Sequence, residues 1–158
     1  MNFGKKKLFF CILILNCSTN LFSKEPLTNI SITDGDSLRG VFLGENIKIR
    51  LAEIDAPEIK QPFGLESKGC LTELVKETNN IIFFRFKEKD RYGRHVGWIY
   101  SKDVDLNLEM VKLGCAWVYN RYAKRKVLFK FQDAAKERRI GLWSARSPVA
   151  PWVWRKKN

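Results

Sequence analysis

The chain has one histidine, four cysteines and two methionines in 158 residues. His95 has no nucleophile and no partner at metal-ligand spacing, so it gives no Ser–His pair and no imidazole-built zinc site, and it reads as structural. The cysteines form no Cys-x-x-Cys pair, which argues against a zinc finger. There is no internal repeat and no low-complexity linker, which excludes solenoids. The one long apolar run, Leu8 to Leu15, is too short to span a bilayer. Acidic residues are also short, 17 against 29 Lys and Arg.

What is present bounds the chain further. Its length fits one domain with appendages. Lys5, Lys6 and Lys7, the apolar run and the small and polar residues up to Ser23 have the layout of a secretory signal peptide over 1–23. Cleavage is expected after Ser23, with a lipoprotein anchored at Cys17 as the alternative. Residues 24–146 are then the domain, and 147–158 a Pro/Trp/basic arm lying on it. Of the net charge of +12, the three signal lysines account for three, which leaves +9 on the exported part. That balance suits polyanions, although basic charge also serves solubility alone. Cys11 and Cys17 fall in the signal. Cys70 and Cys115 remain, and either pair as a disulfide in an oxidising compartment or pack as buried free thiols.

The hydrophobic pattern predicts strands over Ile30–Thr33, Ser37–Leu43, Ile47–Ile54, Ile81–Lys87 and Gly93–Tyr100. The first two join through the turn Asp34-Gly35-Asp36, and the second and third through Gly44-Glu45-Asn46. A helix follows over Gly64–Glu77, a second is capped by Asp105 and runs to Leu113, and a third begins near Val127. Three strands, a helix, two strands and two helices describe an α+β protein, a five-stranded OB-fold β-barrel with three α-helices.

Three stretches carry the chemistry. Asp36, Asp55 and Glu58 are carboxylates at strand ends with no His or Cys nearby, a hard-oxygen set suited to Ca²⁺ or Mg²⁺. Arg50 and Arg94 add guanidiniums, which fork onto phosphate. A cation, two arginines and a carboxylate that prepares water make a layout for phosphoryl transfer. Taken singly, Arg50 reads as a salt bridge to Asp55 or Glu53, and Asp34 as a solvated turn residue.

D-G-D-S at 34–37, I-R-L-A-E-I-D-A-P-E at 49–58 and D-R-Y-G-R at 90–94 resemble, in order and rough separation, the signature stretches of the staphylococcal nuclease family. The similarity runs from about Ile30 to Ser144, and the closing P-W-x-W-R resembles exported bacterial members. The resemblance implies a Ca²⁺-dependent endonuclease acting on DNA and RNA and leaving 3′-phosphate ends, with no stable protein partner and a monomeric state. It implies Asp36, Asp55 and the backbone carbonyl of Ala56 as metal ligands, where many members have threonine at the last. It implies Glu58 as the base that prepares water, and Arg50 and Arg94 on the scissile phosphate. Tyr92 and Gly93 shape the turn that presents Arg94, and Glu53 reads as structural. Of the family's two pocket tyrosines, Tyr122 matches one while Asn120 falls near the other. Arg121, Tyr122 and Lys124 lie in a basic segment suited to a nucleic-acid backbone, with Tyr122 available for stacking. Two other readings fit the composition. One is an inactive nuclease-like domain that only binds nucleic acid or protein; the five retained side chains argue against it. The other is a basic exported binder of anionic surfaces, which leaves the acid–arginine cluster unexplained.

Overall fold

The computed structural model describes residues 25–158. The expected signal over 1–23, with Cys11 and Cys17, lies outside them. Five long strands build the main sheet: β1 (Thr28–Asp34), β2 (Ser37–Phe42), β3 (Glu45–Leu51), β5 (Phe83–Lys89) and β6 (His95–Ser101). Three two-residue strands, β4 (Ile54–Asp55), β7 (Val104–Asp105) and β8 (Trp117–Val118), complete the set. The helices are α1 (Gly64–Glu77), α2 (Leu106–Lys112), α3 (Lys126–Glu137) and α4 (Pro151–Lys157), with a 3₁₀ turn at Gly141–Ser144.

The sheet order is β1-β2-β3-β6-β5, with β3 and β6 parallel and the other neighbours antiparallel. The two ends of this order meet. Leu27 N–H donates to the Ile82 carbonyl at 2.8 Å, and Pro26 bridges Phe83. These contacts tie the two ends of the ribbon together just before β1, in keeping with the expected OB barrel.

Alternation dictates what fills it. Ile47, Ile49 and Leu51 of β3 point inward while Lys48 points out. With Leu38, Phe84 and Ile99 they form the centre of the core, each 6% exposed or less. Burying a side chain of this size contributes about 1.5–3 kcal/mol. The β2–β3 hairpin is tighter than the sequence suggests. Its two loop residues are Leu43 and Gly44, at φ 50° and 81°. Such a two-residue loop with both residues left-handed matches strand twist.

α1 plugs the barrel with Ser67, Leu71 and Val75. Gly35 is needed there for close approach. A Cβ on it would lie 1.9 Å from Ser67 Oγ and 2.8 Å from Ala56 Cβ. Ser67 cannot easily give way, because its hydroxyl donates to the Cys115 carbonyl at 2.6 Å. A disulfide joins Cys70 of α1 to Cys115, which follows α2. Asp105 caps α2 by accepting from Leu108 N–H, as its position predicts.

The tail holds one helix beyond the three expected. Residues 151–157 form a fourth helix. Pro151 stands at its first turn, where a missing N–H costs nothing and the fixed φ favours helix. Among the described residues no helix is long and apolar enough to cross a membrane.

Candidate active site

The site grows from the end of β3. Leu51 N–H donates to the Asp36 carbonyl and Ala52 N–H to the Gly97 carbonyl, at 2.8 and 2.7 Å. The buried Asn107 side chain of α2 bolts this turn from below, donating to the carbonyls of Ala52 and Gly97 and accepting from Ile99 N–H. Glu53 then turns left-handed, φ 67°, and the chain enters β4, whose Asp55 sits opposite Trp117 of β8. Asp55 is thereby carried on paired backbone.

Arg50 wraps this turn. Its Nη1 donates to the carbonyls of Leu51 and Ile54, at 2.6 and 2.9 Å. Its Nη2 reaches Asp55 Oδ1 at 2.8 Å, and its Nε lies 3.0 Å from Asp36 Oδ1. Three of the five guanidinium N–H groups are thus hydrogen-bonded to the frame, and Nε faces Asp36 as an ion pair. Asp36 is tied in further, accepting from Ser37 Oγ at 2.9 Å and from Ala56 N–H at 2.6 Å. Both acids are deeply buried, Asp36 at 5% and Asp55 at 1% exposed. Burial pushes the Asp36 carboxyl up to about 6, against the pull of adjacent Arg50. Asp55 is raised for the same reason, with Arg155 and Arg50 opposing.

Arg94 is presented by the loop between β5 and β6. Asp90 closes that loop by accepting from the backbone N–H groups of Tyr92 and Arg94 and from Arg94 Nε, at 2.9, 2.9 and 2.7 Å. The bond to Asp90 uses Nε, which leaves the two terminal amino groups of Arg94 for an anion. Tyr92, 68% exposed, lies beneath the Arg94 guanidinium at 5.6 Å.

Asp36, Arg50, Asp55, Ala56, Glu58 and Arg94 all line one cleft of about 810 Å³. Arg121 and Tyr122 line it as well, while Lys124 is exposed and outside the lining. His95 also stays outside, half-buried with its ring edge-on to Phe86 at 5.6 Å. The second cleft tyrosine is Tyr119, not a residue at Asn120. Strand alternation through Trp117, Val118 and Tyr119 turns its ring to the cleft, 4.9 Å from the ring of Tyr122. The sequence holds that signal in the spacing of Trp117 and Tyr119.

Glu53 has the structural role expected of it. Its carboxylate accepts from Lys124 N–H, Arg125 N–H, Trp98 Nε1 and Arg125 Nε. Burial works against its charge, but these bonds outweigh it and hold the carboxyl below its usual range. The basic segment that carries Arg121 and Tyr122 is thereby clipped to the turn that carries Asp55.

One residue in the cleft is absent from the sequence-based set. Arg155 of α4 donates from Nη2 to Asp55 Oδ2 at 2.7 Å and from Nη1 to Glu58 Oε1 at 2.7 Å. A longer bond, 3.2 Å, joins Nη1 to Asp55 Oδ1.

The donor set fits a hard cation. Asp36 and Asp55 are buried carboxylates that share Arg50, hard oxygen donors brought to the same side of the turn. The cleft lining contains no His or Cys. Among the described residues no group of three or more His, Cys, Asp or Glu has the arrangement of a metal site. Asp36 and Asp55 are the carboxylates that would hold a cation, with backbone oxygen such as the Ala56 carbonyl beside them.

Comparison with known proteins finds nucleases. Residues 48–145 match the family described as "Staphylococcal nuclease homologue". The chain is 38% identical over 158 residues to an "Uncharacterized endonuclease" of Haemophilus influenzae, covering 98% of this chain and 88% of the relative. It is 38% identical over 131 residues to an "Uncharacterized endonuclease" of Escherichia coli O157:H7, covering 82% and 84%. It is 33% identical over 140 residues to a "Micrococcal nuclease" of Shigella flexneri, covering 82% and 79%.

Proposed function

The chain belongs to the staphylococcal nuclease family and is a nuclease, and from that premise we propose that it is an exported, monomeric, Ca²⁺-dependent endonuclease that cuts DNA and RNA alike. The observation that carries this reading is the convergence of Asp36, Arg50, Asp55, Glu58 and Arg94 on one cleft.

Asp36, Asp55 and the Ala56 carbonyl would hold the cation, which when bound would supply positive charge to a phosphate oxygen. Arg94 receives the phosphodiester with its two terminal amino groups. Arg50 keeps the two aspartates in register and offers its remaining N–H to the same anion. Glu58 accepts a proton from the attacking water. The water's hydroxide adds to phosphorus, the bond to the 5′ oxygen breaks, and that oxygen takes a proton from solvent water in the open cleft, so the upstream strand ends in a 3′-phosphate and the downstream strand in a 5′-hydroxyl. Tyr122 and Arg121 flank the path of the strand, and Tyr119, one face of which is covered by Trp152, backs Tyr122. Bases stack on tyrosine faces whatever their identity, and no donor or acceptor code is needed, which supports action on both nucleic acids.

Digestion of plasmid DNA and of single-stranded RNA with Ca²⁺ and then with EGTA tests the reading. Cleavage of both with Ca²⁺, its loss with EGTA, and product ends that a kinase labels only at the 5′ side are expected. Undiminished cleavage in EGTA would remove the metal assignment. Export is tested by mass spectrometry of protein from the producing cell. A mature chain beginning at Lys24 is expected, and an intact Met1 would refute it.

A further inference from the structure

The C-terminal helix is not a passive appendage of the cleft. Trp152 stacks on Tyr119, rings nearly parallel at 6° and 5.4 Å apart, and meets the edge of Trp117 at 5.6 Å. Pro151 is buried. Just before the helix, the Val149 carbonyl accepts from Gln61 Nε2 at 2.6 Å. Gln61 is itself buried, and its Oε1 accepts from Glu58 N–H at 3.2 Å. Arg155 follows Trp152 by three residues, so the two side chains share one helix face. Trp117, against which Trp152 rests, is the β8 residue opposite Asp55. The contacts therefore run in a closed ring: Asp55 to Trp117, Trp117 to Trp152, Trp152 along α4 to Arg155, and Arg155 back to Asp55 and Glu58.

Glu58 needs such help. Its side chain is 40% exposed, and among the described residues its carboxylate has no side-chain partner except Arg155. A half-exposed glutamate samples several rotamers, and a base out of place by an ångström loses on the order of 100-fold in rate. A guanidinium fixed at both ends removes that freedom. Its planar fork holds Asp55 with one amino group and Glu58 with the other, which an ammonium cannot do.

We propose that Arg155 is a positioning residue for phosphodiester cleavage: it pins the Glu58 carboxylate beside Asp55, so that the C-terminal helix is part of the catalytic apparatus. This rests on the reading that Glu58 prepares the water. Its bonds to Asp55 occupy oxygens that a cation also seeks, so toward the cation Arg155 is a competitor, and its help to catalysis comes through Glu58.

The test is steady-state and single-turnover cleavage by Arg155→Ala, Arg155→Lys, Glu58→Gln and the double variant Arg155→Ala/Glu58→Gln, with Ca²⁺ titrated calorimetrically into each metal-free protein. The fold is checked by thermal unfolding. If Arg155→Ala does not fold, Arg155→Lys is read by the same criteria. In Arg155→Ala we expect kcat to fall about tenfold or more with KM within about twofold, and Ca²⁺ to bind at least as tightly as in the wild type. Arg155→Lys should recover only part of the loss. In the Glu58→Gln background the Arg155→Ala change should cost less than about twofold, since the group it positions is gone. An unchanged or raised kcat in Arg155→Ala overturns the proposal, as does a loss that multiplies with that of Glu58→Gln, or weakened Ca²⁺ binding. Full activity in Glu58→Gln would instead remove the reading on which the proposal rests, so the two failures are distinct.

Discussion

Glu53→Gln is the sharpest single test of how the cleft is assembled. The substitution keeps shape and removes charge. Glu53 accepts from Lys124 N–H at 2.8 Å and Arg125 N–H at 3.1 Å through Oε1, and from Trp98 Nε1 at 2.9 Å and Arg125 Nε through Oε2. A glutamine has one oxygen for these four donors. Whichever way the amide is turned, its NH₂ faces two N–H groups with no acceptor between them. The Glu53 side chain is only 4% exposed, so water does not repair the loss. Breaking a buried ion pair from one side costs about 3–5 kcal/mol. Arg125 is a quarter exposed and retains Asp105, which places the expected loss below that range, at about 2–3 kcal/mol. For a domain of this size that is a fall of roughly 10 °C in Tm. The sign with pH follows from the depressed carboxyl. Its stabilisation is complete above the unfolded value of 4.5 and is lost as pH falls through the lower folded value. The gap between wild type and variant is therefore expected to be constant from about pH 6 to 8 and to shrink below 4.5. Urea unfolding at several pH values measures it. The variant should also show a raised KM for nucleic acid, because the segment bearing Arg121 and Tyr122 loses its clip. A difference under about 1 kcal/mol at pH 7, or one that grows on acidification, would refute the reasoning.

Gly35→Ala should destabilise the fold by about 1–3 kcal/mol and weaken Ca²⁺ binding, since the new Cβ meets Ser67 Oγ at 1.9 Å beside Asp36. Adding Ser67→Gly should return part of the stability, and calorimetry with Ca²⁺ titration checks both. Replacing Cys70 and Cys115 together by serine opens a covalent loop of sequence separation 45, with an expected cost of about 4 kcal/mol in urea unfolding. Reduction of the wild type with dithiothreitol should lower its urea midpoint in the same direction, and an unmoved midpoint would contradict it. Arg94→Lys exchanges a fork for a point charge, and kcat/KM should fall on the order of 100-fold with circular dichroism unchanged.

Most of the barrel is legible because its signals are local. β3 alternates, Asp105 stands where a cap belongs, and the helix over Gly64–Glu77 has the bounds that its apolar stripe predicts. Asp36, Arg50, Asp55, Glu58 and Arg94 are legible for the same reason: each lies in a short motif at a strand end. Three features are not written locally. The engagement of Arg50 by two carbonyls depends on the left-handed turn at Glu53, which no residue type announces, since glutamate seldom adopts φ 67°. Tyr119 reaches the cleft only because β8 pairs with β4. Arg155 lies 100 residues from Asp55 in sequence, and its place depends on a stacking contact between two aromatic rings. A signal for α4 does exist: Pro151 followed by six residues free of proline and glycine is a helix start.

The spread of the cleft along the chain also has a consequence in time. Its lining runs from Asp34 to Arg155, so synthesis delivers one wall first and the other last. β1 meets the start of β5 only after residue 83 has been made, and β3 waits for β6 across the whole of α1. The acids and the basic turns lie far apart along the chain, so the cleft exists only once the barrel and α4 have packed against one another, and no short fragment of the domain carries its full lining.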